Sequence, residues 1–308
     1  MSNKTYNSLN PLKIYISALI ENIDKEKIPK NIDLILDGGL FNGAFEYGIL
    51  LYLKELEKID LLNIDRISGC SIGSIIGLLY LTGSIDENIH IYEEMITAIR
   101  ETLFLDKISS IIHDIVNKYV TNIERLNNKL YITYYDITTM QQIVCSTFKN
   151  KEELIQILIR STYIPYITDG KIQYDDRYID GCSPFIFQKT EKKALFIYLS
   201  TFKNIKSMVY IKNEVNIWPR LMSGVIDVNN FFSGSNSSFC SYVNNWNITD
   251  FTLIQIREIL IFCILILIKL SLFAKEIIPK NMKENIYINR FQDIFLAFYK
   301  NLFSYLVL

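Results

Sequence analysis

Two strand–turn–helix units in succession constrain this chain more than any other feature. Residues 31–36 form an apolar run of strand length that ends in the turn Asp37-Gly38-Gly39. From 43 to 59 the apolar positions recur at helical spacing, with Glu55 and Lys58 on the wet side. Residues 61–68 read as a second strand, which stops at Gly69. A helix of small and apolar residues then runs from Ser71 to about Leu81. This succession predicts a parallel α/β layer, because parallel neighbours need a helical crossover.

Further along, 130–138 and 142–148 are β-rich and close together, so an antiparallel pair is expected. Residues 151–160 are helical in pattern, and 194–201 read as another buried strand. Residues 229–247 are full of Asn, Ser and Gly interrupted by Phe and Tyr, and read as a long loop. From 251 to the end the pattern is mostly helical. The expected division is a domain over 1–228, with an N-terminal helix, and a polar loop with an apolar helical extension over 229–308.

A chain of 308 residues, half of them hydrophobic, can bury one substantial core, which excludes a disordered protein. A net charge of −1 gives no electrostatic reason to expect nucleic acid as a partner. The five cysteines are widely spaced and form no CxxC pair, so neither a disulfide framework nor a zinc site is expected. That favours a reducing, cytoplasmic compartment. Residues 14–20 are apolar, but charged residues follow at once, and they read as a short amphipathic helix rather than a signal peptide. Residues 259–274 are apolar except for Lys269 and Ser271. They read either as a buried core helix or as an interfacial, membrane-associated segment, being short for a span.

The sharpest local signal is Gly69-Cys70-Ser71-Ile72-Gly73 between a strand and a helix. G-x-S-x-G at such a junction is a nucleophile elbow, although a serine turn that merely caps a helix gives the same pentapeptide. A Ser-Asp/Glu-His triad in α/β-hydrolase order needs a late histidine, and the two present, His90 and His113, both precede residue 114. Each reads as an ordinary helix or turn residue. Asp180, in Tyr178-Ile179-Asp180-Gly181, is the candidate base, provided burial raises its pKa toward the working pH. A plain Asp-Gly turn is the competing reading. The loop from Asp37 to Gly43 can aim backbone N–H groups at a developing oxyanion. No G-K-[ST] follows it, so a nucleotide site is weak.

These motifs, in order, resemble those of the patatin-like phospholipase family: Asp37-Gly38-Gly39 with Gly43 and Gly48, then Gly69-x-Ser71-x-Gly73, then Asp180-Gly181. Arg160-Ser161-Thr162-Tyr163-Ile164-Pro165 is similar to the segment these proteins carry before their Asp-Gly motif. The resemblance spans residues 31–202. It implies a three-layer α/β fold with a central, mostly parallel sheet. It also implies hydrolysis of acyl esters of phospholipids or related lipids by a Ser71–Asp180 dyad, without cofactor or metal. The oxyanion hole would come from the amides around Gly38, Gly39 and Leu40. Two departures stand out, since the family usually has glycine at Leu40 and a basic residue at Asn42. They leave open a lipid-binding protein without turnover, and acyl transfer is a further alternative. Restoring the family's residues, Leu40→Gly with Asn42→Arg, is expected to raise turnover.

Overall fold

Strand β1 (Asn31–Leu36) is buried from its second residue to its last, and its alternation divides the molecule. Ile32, Leu34 and Leu36 belong to one apolar core, while Ile35 belongs to a second core. Successive side chains of a strand point to opposite faces, so this is the pattern of a strand covered on both sides. The computed structural model describes residues 2–187, 192–200, 204–277, 297, 301 and 304–308. Helix α1 (Ser2–Glu21) precedes β1. After it come α2 (Gly43–Lys58), β2 (Asn63–Cys70), α3 (Ile72–Leu81), α4 (His90–Thr102), α5 (Ile108–Tyr119), β3 (Leu130–Asp136), β4 (Gln141–Cys145) and α6 (Lys151–Ser161). The remainder is β5 (Tyr178–Ile179), β6 (Lys193–Ile197), α7 (Ile205–Val209), α8 (Trp218–Phe232), β7 (Cys240–Tyr242) and α9 (Ile248–Ile277).

The sheet runs β4-β3-β2-β1-β6-β7, with β5 added beside β3. The central strands β3, β2, β1 and β6 are parallel, and β4, β5 and β7 join them antiparallel. The chain therefore has the expected mixed α/β architecture, a mostly parallel sheet flanked by helices. Helices α1 to α6 and α8 supply the larger core. Within α1, Leu12, Ile16 and Ile20 are buried at four-residue spacing, so the expected amphipathic helix is present.

The expected long loop over 229–247 is corrected by two features. Helix α8 continues through Asn229 and Asn230 to Phe232, because Phe232 stacks on Tyr52 and the Tyr52 hydroxyl donates to Asn229 Oδ1 at 3.1 Å. Beyond it, the Asp227 carboxylate accepts the N–H groups of Ser238 and Phe239, which leads the chain into β7 at the sheet edge. A polar composition conceals such partners because they lie on another element.

Helix α9 covers the opposite face of the sheet. Ile254 joins the core around Ile35 and Phe196, while Ile261 and Leu265 join one around Tyr135 and Ile179. Together with the half-buried Arg257, Glu258 and Ile268 they form a narrow inward seam. Most other side chains from 259 to 273 are apolar and open: Ile259 is 61 % exposed and Leu267 65 %. Over 259–273 the buried-core reading thus holds for the seam of Ile261 and Leu265 and not for the open side chains around it. By length and composition alone, Ile248–Phe273 is sufficient to cross a membrane. The helical reading of 278–308 lies largely outside the described residues.

Candidate active site

Leu36 of β1 lies opposite Gly69 of β2, so the turns after both strands leave the sheet at one level. Ligand sites of parallel sheets lie at this carboxyl end. Ser71 forms the turn between β2 and α3 with φ 51° and ψ −129°, a conformation that an L-residue holds only when its surroundings impose it. A Cβ at position 69 would lie 2.6 Å from the Gly73 carbonyl oxygen, and one at position 73 would lie 2.7 Å from that of Asp37. Both contacts are too short, which is why glycine flanks the serine on either side. The turn is also held from outside, for Ser71 N–H donates to Ser161 Oγ at 3.0 Å.

Asp180 arrives from the other direction. Ile179 of β5 pairs with Tyr135 at the end of β3, and the following turn presents the carboxylate. Asp180 N–H donates to the Tyr163 carbonyl at 2.8 Å, and Gly181 N–H to the Ser161 carbonyl at 3.0 Å. Residues 161–163 therefore brace both the elbow and the Asp-Gly turn. Sequence reasoning marked this segment by resemblance but gave it no structural task. Asp180 Oδ2 accepts the Cys182 N–H at 3.0 Å, whereas Oδ1 is buried and has no full hydrogen bond among the described residues. Burial pushes the carboxyl up to about 6, against the opposing pull of the Ser71 hydroxyl and the Cys182 N–H. The Ser71 hydroxyl thus acts on the carboxylate directly. A carboxylate with that pKa is ionised at neutral pH and still basic enough to accept a proton.

Ser71, Asp180, Gly38, Gly39 and Leu40 line one cavity of about 400 Å³. Its walls are mostly apolar, formed by Ile164, Ile167 and Met208 on one side and by Leu253, Leu260 and Ile264 of α9 on the other. Neither His90 nor His113 reaches it. Among the described residues, no three His, Cys, Asp or Glu side chains are grouped to hold a metal.

Residues 34–139 match the patatin-like phospholipase family. The match takes in the glycine loop, the elbow and Ser71, and stops before Asp180. No curated protein matches the chain. The family is one of lipid acyl hydrolases.

Within the matched segment the glycine loop departs from the pattern usual in that family in two ways, and the structure accounts for both. Leu40 takes φ 47°, the left-handed region that favours glycine, while its side chain is buried in the main core. The leucine therefore adopts the backbone that glycine would supply. Asn42 is fully buried and acts as a junction. Its Nδ2 donates to the carbonyls of Leu199 and Asn204, and its Oδ1 accepts from Arg220 Nη1 at 2.7 Å. A basic group thus does reach the loop, from α8. Its charge is balanced by Glu214, whose Oε1 accepts Arg220 Nε at 2.8 Å. The change Asn42→Arg would set a second guanidinium beside Arg220, a repulsion that counts against the expected gain from restoring the family's residues. No local signal links positions 42 and 220 in the sequence.

Asp37 anchors the same loop. Its buried Oδ2 accepts Leu199 N–H, Ser200 N–H and the Ser200 hydroxyl at 3.1, 3.0 and 2.7 Å. Its Oδ1 accepts Gly38 N–H at 2.9 Å and Arg257 Nη2 at 2.6 Å. Gly38 N–H is therefore already engaged, while the amides of Gly39 and Leu40 form no hydrogen bond among the described residues.

Proposed function

We propose that this protein hydrolyses acyl esters of phospholipids or related lipids at a membrane surface, with Ser71 as nucleophile and Asp180 as general base. The observation that carries the reading is a serine on a strained turn and a buried carboxylate, one oxygen of which has no full hydrogen bond among the described residues, both lining one apolar cavity. In the first step the Ser71 hydroxyl proton passes to Asp180 Oδ1 as Oγ bonds to the ester carbonyl carbon. The carbonyl oxygen takes up the electron pair and is held by the N–H groups of Gly39 and Leu40. The intermediate collapses, the alcohol leaves with the proton from Asp180, and an acyl-enzyme remains. Water, deprotonated by the same carboxylate, then releases the fatty acid.

The cavity also supports lipid as the substrate. Leu253, Leu260 and Ile264 line it, yet remain 39, 48 and 52 % exposed, so an apolar path leads from the outside of α9 to Ser71. An acyl chain following that path would stay out of water throughout. The test is fatty-acid release from phosphatidylcholine vesicles. Ser71→Ala and Asp180→Asn are each expected to lose at least about a thousandfold in rate while remaining folded. Full activity in Asp180→Asn, or its loss in His113→Ala at unchanged stability, contradicts the dyad.

A further inference from the structure

Arg257 and Glu258 are the only charged residues between 251 and 268, in the middle of an apolar helix, and both turn inward. Arg257 Nη2 donates to Asp37 Oδ1 at 2.6 Å and also to the Cys182 carbonyl. Glu258 accepts from the Ser183 hydroxyl at 2.6 Å and from the Tyr135 hydroxyl at 3.2 Å. Asp37 opens the glycine loop, and Cys182 and Ser183 follow the Asp-Gly turn. These two loops leave β1 and β5, which lie apart in the sheet with β2 and β3 between them. One guanidinium from a distant helix bridges them.

Packing alone does not explain this arrangement. A buried ion pair seldom stabilises a fold more than apolar side chains of similar volume, and Arg257 Nη1 is buried without a hydrogen-bond partner among the described residues. Apolar residues would seat α9 on the sheet at least as well. What they cannot do is fix the separation of a carboxylate and a carbonyl on two different loops, which the single guanidinium nitrogen Nη2 does by donating to both.

We propose that Arg257 is a positioning residue for the hydrolysis: its guanidinium clasps the oxyanion loop to the turn that carries the base, so α9 completes the site from outside the family-matched segment. The proposal rests on the Ser71–Asp180 reading. Its consequence runs through Cys182, which is held at φ 32° with its carbonyl on Arg257 and its N–H on Asp180 Oδ2. Releasing the carbonyl frees the N–H to move away from the carboxylate. A hydrogen bond to the ionised form lowers a carboxyl pKa, so its loss raises it. The other groups facing Asp180 are the Ser71 hydroxyl, the Gly181 N–H and the thiols of Cys182 and Cys70, and the Arg257 charge acts on both thiols.

The test uses the full chain, a soluble p-nitrophenyl ester, and the variants Arg257→Lys and Arg257→Gln. Lysine keeps a charge for Asp37 but lacks the planar, rigid guanidinium that aims both hydrogens of Nη2. The lysine variant is expected to fold and to lose about tenfold or more in kcat, with KM changing less. The acidic limb of its rate profile should move to higher pH. The glutamine variant should lose more, so that lysine partly rescues it. If lysine lowers thermal stability alone, with kcat and the acidic limb unchanged, the positioning role is overturned while the dyad stands. A wild type without Ser71-dependent turnover overturns both.

Discussion

Burial of Asp180 sets its basicity and also its effect on stability. Its carboxyl stands near 6 in the folded chain, against an ordinary value of 3.8. Between those values the native state holds its proton while the unfolded state has given it up. Stability from this group therefore falls as pH rises through the window, and above it the native state carries a penalty of about 3 kcal/mol. Asp180→Asn is thus expected to be more stable than wild type at pH 8 in urea unfolding, by an amount that shrinks below pH 6 and vanishes near pH 4. An equal loss of stability at both extremes contradicts this account. At the same scale, the turns that present Ser71 and Asp180 were legible in the sequence because glycines frame them. Arg220 was not, since its partner Asn42 is far away in the chain and the contact exists only in the fold.

Among the elements, the strands and helices around the elbow were readable to within a few residues. Their apolar periods are long and their ends are marked by glycine. The role of α6 was hidden, because Ser161 meets Ser71 only after α6 packs beside β3. Helix α9 shows the same limit more sharply: composition identified an apolar helix but not which of its faces would be buried. Its exposed face now carries a prediction. Replacing Ile259, Leu267 and Leu270 by serine removes side chains 61, 65 and 57 % exposed, none of which lines the cavity. Inserting a leucine or isoleucine into lipid is worth roughly 1.5–3 kcal/mol. The triple variant is expected to keep its turnover of a soluble ester and to lose tenfold or more in hydrolysis and co-sedimentation of neutral vesicles. Unchanged vesicle turnover would show that α9 does not meet the bilayer.

For the molecule as a whole, the proposed site is assembled from three stretches of chain. The family-matched segment supplies Ser71 and the glycine loop, the β5 turn supplies Asp180, and the region after 200 supplies Arg220, Arg257 and one wall of the cavity. The central claim is that Ser71 is a nucleophile made reactive by Asp180. Its most direct measurement is covalent labelling with a fluorescent fluorophosphonate, followed by mass mapping of the modified peptide. The account predicts one adduct, on Ser71, forming at a rate that rises with pH through about 6 and disappearing in Ser71→Ala. Absence of labelling, or labelling that survives Ser71→Ala, would contradict it.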